Sequence, residues 1–150
     1  MREVMTKAMA RNIFYGGSIF FILIFIGLSV HSHYYIVTVS TAAAPLTESV
    51  ARGKHVWEKH ACINCHTILG EGAYFAPEVG NVMARWGVAD DPEWAFGTLK
   101  GWMDAQPSGV EGRRQMPKFD LTDDEVRDLA EFLLWTNKIR TQDWPPNDAG

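Results

Sequence analysis

The chain has 150 residues, which is room for one modest globular domain and a short accessory segment but not for two large domains. Arg2, Lys7 and Arg11 against Glu3 give the first eleven residues a charge of +2, so the remainder carries −6 of the total of −4. That acidic remainder argues against nucleic-acid binding, which needs a clustered excess of Lys and Arg. With only two cysteines, a multi-bridge disulfide scaffold is excluded.

An apolar segment follows the basic N-terminus. Ile13 to Val30 is eighteen residues without a charge, which nearly spans a hydrocarbon core of roughly 30 Å. We predict a cytoplasmic N-terminus over 1–12, one transmembrane helix over 13–35 embedded in the lipid bilayer, and a linker over 36–46. By the positive-inside rule the rest of the chain lies on the far side, the periplasmic side of a bacterial inner membrane.

A cleaved signal peptide is the alternative, because Ala42, Ala43 and Ala44 resemble a small-residue cleavage site. It is less favoured, because the apolar run is longer than the 7–15 residues of a signal core and the alanines lie well beyond its end.

The segment 47–140 has the start signals of a mainly α domain. Thr47 predicts an N-cap and a helix to about His60, with one face marked by Val50, Lys54, Trp57 and Ala61. Asp91-Pro92-Glu93 predicts a second helix towards Met103. Thr122-Asp123-Asp124-Glu125 is a capping box that opens a final amphipathic helix to Asn137 or Lys138.

Glycine and proline mark two segments outside the predicted helices, one after the cysteines and one at the C-terminus. Gly70, Gly72, Pro77 and Gly80 favour a compact loop rather than a strand or a long helix. The C-terminal tail, 141–150, contains Trp144-Pro145-Pro146-Asn147, which cannot continue a helix and is expected to be extended.

The two cysteines belong to a chemical motif. Cys62-Ile63-Asn64-Cys65-His66 matches C-x-x-C-H, in which both thiols bond to haem vinyl groups and the histidine binds the iron. A thioredoxin-like redox pair would need a βαβ pattern, and a zinc site would need a second ligand pair; the sequence offers neither. We therefore predict one covalent haem c, held by Cys62 and Cys65 and ligated by His66.

The sixth iron ligand is expected to be a downstream methionine, because a His/Met pair raises the reduction potential. Met116 is preferred, since Pro117 keeps it out of a helix in a loop before the last helix. Met83 is the second choice. Three residues are predicted around the haem: Pro77, whose carbonyl would accept from the ring of His66, and Arg113 and Arg114, which would pair with haem propionates or form a solvated basic turn.

Several stretches go beyond a generic attachment motif. Residues 65–78, with Gly-Glu-Gly-Ala-Tyr-Phe-Ala-Pro-Glu from Gly70, then Arg113 to Pro117, Trp135 to Asn137 and Trp144 to Asn147, closely resemble the cytochrome c subunit of bacterial nitric oxide reductase. The resemblance runs from the apolar segment to the tail. It implies a class I cytochrome c domain tethered to one N-terminal transmembrane helix.

The resemblance also implies an electron-transfer role without a catalytic centre on this chain. Members of that family take electrons from a soluble periplasmic cytochrome c or cupredoxin and pass them to a b-type haem of a large haem b/non-haem iron subunit. There two NO are reduced to N2O and water. The resemblance further implies that the loop Gly72 to Tyr74 packs on the large subunit near a calcium ion, with the Gly72 carbonyl and Tyr74 as ligands.

Two other roles stay open from the residues alone. One is the cytochrome subunit of a haem–copper oxygen reductase. The other is a stand-alone tethered carrier or haem-based sensor, which as a sensor would want a weak sixth iron ligand.

Overall fold

The computed structural model describes residues 5–41 and 45–141, and it divides the chain into two units, Met1–Ser40 and Thr41–Gly150. The first unit is helical, and the second is a mostly helical domain, as the sequence predicts. The predicted tail with Trp144 to Asn147 lies outside the described residues.

The first helix, α1, runs Lys7–Tyr35 and continues as one π-helical turn over Ile36–Ser40. It therefore begins six residues before the predicted span and extends into the predicted linker. The early start is explained by Thr6, whose hydroxyl accepts a hydrogen bond from the amide of Met9 at 3.2 Å. Within the part of the chain that the structure describes, this is the one helix long and apolar enough to cross a membrane. An 18-residue stretch of it has a mean hydropathy of 2.3, and the helix has no buried residue.

The domain is built on the crossing of helices α2, Glu48–Lys59, and α5, Asp123–Asn137. Thr47 caps α2, and the predicted capping box of Thr122 and Glu125 is present at α5. The helices meet at Gly53, where an added Cβ would lie 1.9 Å from the backbone oxygen of Asp128. Only a residue without a side chain allows this approach.

The buried face of α2 consists of Val50, Gly53, Val56 and Trp57. The predicted face was wrong at Lys54 and Ala61, which are exposed. The reason is that the close backbone contact at Gly53, three residues after Val50 and four before Trp57, sets the rotation of the helix.

Two further helices complete the core. Helix α3 is a single turn, Val82–Arg85, and α4 runs Pro92–Asp104 with Asp91 accepting from the amides of Glu93 and Trp94. Helix α4 packs on α5 and contributes Ala95, Leu99 and Met103 to the core. The second and third predicted helix starts are thus confirmed.

The segment after the cysteines contains a small hairpin, so the prediction of a loop without strands was wrong there. Strands β1, Thr67–Ile68, and β2, Glu71–Gly72, pair antiparallel with Ile68 opposite Glu71. Leu69 and Gly70 form the turn, both with positive φ, at 51° and 85°. A leucine in this conformation gives no sequence signal for a hairpin turn.

Candidate functional site

The cysteine motif folds as one tight turn after α2. Ala61 takes a left-handed conformation with φ 51°, and Cys62–Asn64 form a 3-10 turn. The carbonyl of Cys62 accepts from the amides of Cys65 at 3.1 Å and His66 at 2.9 Å. This turn brings both cysteines, which are free thiols, and the histidine to the wall of one cleft.

The cleft has a volume of about 550 Å³ and is mostly apolar. A smaller space of about 170 Å³ adjoins it towards the core. Both are lined by residues from four separate parts of the chain: Cys62, His66, Pro77, Trp102 and Met116. The smaller space is also lined by core residues that include Trp57, Leu99 and Leu133.

The imidazole of His66 is oriented by Pro77. Its Nδ1 lies 2.8 Å from the carbonyl oxygen of Pro77, which can only accept, so Nδ1 carries the proton and Nε2 is the nitrogen left for a metal. A hydrogen bond joins the segment that carries Pro77 to the cysteine turn, since the amide of Ala76 donates to the carbonyl of Cys65 at 2.7 Å. The contact between the ring of His66 and the carbonyl of Pro77 is the one expected from the sequence.

The two candidate methionines lie in different environments. Met116 is half-buried and lines both spaces of the cleft, together with His66. Met83 is fully enclosed in the core of the domain and is not among the residues that line either space. The geometry therefore favours Met116 over Met83 as a partner for His66.

Arg113 and Arg114 both lie at the cleft. The guanidinium of Arg114 donates to the carbonyl of Phe75 and lies over its ring, 4.8 Å from the centroid. Arg114 thus joins the methionine loop to the segment before Pro77. A third arginine, Arg85, lines the smaller space and donates to the backbone carbonyl of Glu78. No sequence pattern indicated Arg85, since its place depends on the short helix α3.

Glu78 is a further residue that sequence reasoning missed. Its side chain is buried, and its carboxylate accepts from the amides of Leu69 at 2.9 Å, Gly70 at 3.3 Å and Gly80 at 2.8 Å. These bonds satisfy the hairpin turn and fix the residue that directly follows Pro77. Glu78 lies inside the resembling motif, but no neighbouring residue in the sequence indicated its partners.

The residues proposed for calcium lie at the surface beside the cysteine turn. Gly72 has φ +123°, and a Cβ there would lie 2.2 Å from the carbonyl oxygen of His66, so only glycine fits. Tyr74 is 80% exposed. Among the described residues, no group of three or more His, Cys, Asp or Glu side chains is placed to hold a metal ion.

The donor set fits a covalently attached haem. Two thiols stand three positions apart in the chain on the cleft wall, His66 offers a nitrogen oriented by Pro77, and a thioether lines the same cleft. Burial raises the pKa of the Cys62 thiol to about 11, as expected of a cysteine on an apolar wall rather than in a reactive redox pair.

Comparisons with known proteins agree with this chemistry. The cytochrome c family model matches residues 50–137. Over all 150 residues, and the full length of each relative, the chain is 69% identical to the nitric oxide reductase C subunit of Paracoccus denitrificans and 66% identical to that of Cereibacter sphaeroides. It is 53% identical over the same length to the corresponding protein of Stutzerimonas stutzeri.

Proposed function

Because the chain belongs to the family of nitric oxide reductase C subunits, within the cytochromes c, we propose that it is the electron-entry subunit of a membrane nitric oxide reductase. It takes electrons from a soluble periplasmic cytochrome c or cupredoxin. It passes them to a b-type haem of the large haem b/non-haem iron subunit, where two NO are reduced to N2O and water.

The observation that carries this proposal is the meeting of His66 and Met116 at one cleft, beside the two cysteines. Cys62 and Cys65 would hold a haem c through thioether bonds, and His66 and Met116 would supply the ligands to its iron. When bound, the haem supplies reversible one-electron chemistry. With His66 and Met116 both serving as iron ligands, the haem would have no coordination site open to NO, and the chain is therefore proposed to be non-catalytic.

The protein residues hold this arrangement through separate contacts. Pro77 keeps the proton of His66 on Nδ1 and so directs Nε2 to the iron. Apolar side chains, among them Trp57 and Leu99, line the smaller space and would contact the haem. Arg113 and Arg114 line the cleft, and Arg85 lines its smaller space, so the three guanidinium groups would offer positive charge to haem propionates. Arg114 also donates to Phe75, and Arg85 also donates to Glu78, so each would share its remaining donors.

We further propose that α1 anchors the chain in the bacterial inner membrane. Lys7 and Arg11 at its start favour the cytoplasmic side, which leaves the domain after Ser40 in the periplasm, within reach of soluble donors. A calcium site at Gly72 and Tyr74 remains part of the proposal. It would need additional ligands from the large subunit, because these two residues supply only one carbonyl and one phenol oxygen.

The test is a purification from native membranes under denitrifying growth. The tagged chain is isolated in mild detergent, its haem spectra are recorded and NO consumption is measured. We expect haem b with haem c, and we expect NO consumption to be lost when Cys62 and Cys65 are both replaced by alanine.

The methionine assignment is tested in the same preparation. Met116→Leu should abolish the methionine–iron absorption band and reduce electron delivery from the donor. Met83→Leu is the matched control, since a volume-conserving change in the core should retain the band. Haem c alone without NO consumption would refute the partner, and an unchanged band in Met116→Leu would refute the ligand. Oxygen consumption in place of NO consumption would favour the haem–copper oxygen reductase alternative.

A further inference from the structure

The loop that carries Met116 has little regular structure to hold it. After α4 ends at Asp104, the chain forms no helix or strand until α5 begins at Asp123. Within residues 107–121 of the described chain, the only backbone-to-backbone hydrogen bond runs from the amide of Arg113 to the carbonyl of Val110, at 3.3 Å. A methionine on such a loop needs another source of order if it is to stay at one place.

The side chain of Gln115 supplies that order. Its Oε1 accepts from the hydroxyl of Ser108 at 3.0 Å and from the amide of Gly109 at 3.1 Å. Its Nε2 donates to the carbonyls of Val110 at 2.8 Å and Arg113 at 3.1 Å. A primary amide has two acceptor lone pairs and two donor hydrogens, so all its hydrogen-bonding capacity is used inside one loop.

These four bonds close the loop on the residue next to Met116. Gly109 and Gly112 take positive φ, at 68° and 76°, which lets the backbone turn its polar groups towards the amide. Gln115 is half-buried and lines the cleft beside Met116. No other side chain in the described loop 107–117 makes as many hydrogen bonds.

We propose that Gln115 is the positioning residue of Met116: its amide holds the loop so that the thioether stays at the iron rather than giving way to competing ligands. This rests on the proposed function, in which Met116 is an axial ligand. Gln115 is not itself proposed as an iron ligand, and it acts through Met116. Its effect is on how readily the methionine leaves.

The experiment compares full-length, haem-loaded variants in detergent. Gln115→Leu removes all four bonds, and Gln115→Glu keeps the two acceptor bonds but replaces the two donors by a carboxylate facing two carbonyls. Two readouts report on the methionine: the pH at which the methionine–iron absorption band disappears, and the affinity of the ferric protein for added imidazole. We expect the band to disappear at lower pH and imidazole to bind at least about tenfold more tightly in both variants.

Thr122→Ala is the control for a general loss of stability. It removes the cap of α5, away from the cleft, and should lower the unfolding midpoint without changing either methionine readout. If Gln115→Leu does not accumulate with haem, Gln115→Glu and Ser108→Ala, which removes one bond, carry the test.

The results distinguish the role of Gln115 from the assignment of Met116 as an iron ligand. Wild-type pH profiles and imidazole affinities in the Gln115 variants, with a methionine band that Met116→Leu abolishes, would overturn the role of Gln115 alone. A wild-type protein without any methionine band would overturn the ligand assignment and the inference with it.

Discussion

The contact at Gly53 gives a sharp prediction for the variant Gly53→Ala. The new Cβ would lie 1.9 Å from the backbone oxygen of Asp128 and 2.7 Å from the Cβ of Phe132. Ordinary contact begins at 3.4 Å, so α2 and α5 must separate locally by about 1.5 Å. No side-chain rotation relieves this clash, because the nearest atoms belong to the backbone of α5.

The size of the effect follows from two opposing terms. Alanine favours a helix interior over glycine by about 1 kcal/mol, whereas overpacking of a core costs about 1–3 kcal/mol and more where the backbone blocks it. Separating the helices also loosens Trp57 from Phe132, whose ring centroids lie 6.3 Å apart. The upper overpacking cost less the gain from alanine gives a net loss of about 2 kcal/mol in the free energy of unfolding.

The assay is denaturant unfolding of the haem-loaded chain, followed by tryptophan fluorescence. Gly97→Ala in α4 is the matched control, because no atom lies within 4 Å of its added Cβ. That control should be stabilised by up to about 1 kcal/mol. Equal midpoints for Gly53→Ala and the wild type would refute the claim that the α2 and α5 crossing requires glycine.

Two further predictions concern acidic side chains of the domain. The pKa of Glu125 is lowered to about 2 by Lys59 and by a backbone amide at the helix start, so its contribution to stability is present above about pH 4.5 and is lost as the pH falls towards 2. Glu125→Gln should therefore flatten the acid limb of stability against pH, and an unchanged limb in denaturant unfolding would contradict this. Glu78→Ala leaves three backbone amides without their acceptor and should cost about 3 kcal/mol in thermal or denaturant unfolding. The exposed hairpin acid Glu71 is the control, and an equal effect of Glu71→Ala would argue against a specific role for the buried carboxylate.

Local signals made much of the fold predictable. The helix starts at Thr47, Asp91 and Thr122 are set by side chains that bond to amides two or three residues away, so the sequence contains both partners. The haem motif is also local, since one turn places Cys62 and His66 together. Met116 was preferred because a proline follows it, and the structure puts it at the same cleft.

The features that sequence reasoning missed depend on partners that only the fold brings together. From the sequence alone, Gly53 only weakens a helix, and its role depends on the contact with α5. Glu78 resembles a surface acid in the sequence, and its buried role depends on the amides of the hairpin. Leu69 adopts positive φ without being glycine or asparagine, so no turn signal announced the hairpin. Helix α1 begins before the predicted membrane span because Thr6 caps it, and the predicted span of 13–35 lies within the helix.

The two proposed iron ligands, His66 and Met116, are held in place by different contacts. His66 is fixed from both sides, by its own turn and by Pro77, whose segment is anchored through Glu78 to the hairpin. Met116 packs against the core, but its loop is held by the side chain of Gln115 and by the bond from Arg114 to Phe75. Substitutions in the helices should therefore lower the stability of the domain while His66 and Met116 both stay bound to the iron. Substitutions in residues 108–116 should instead dissociate Met116 from the iron, and so alter electron entry, before the domain unfolds.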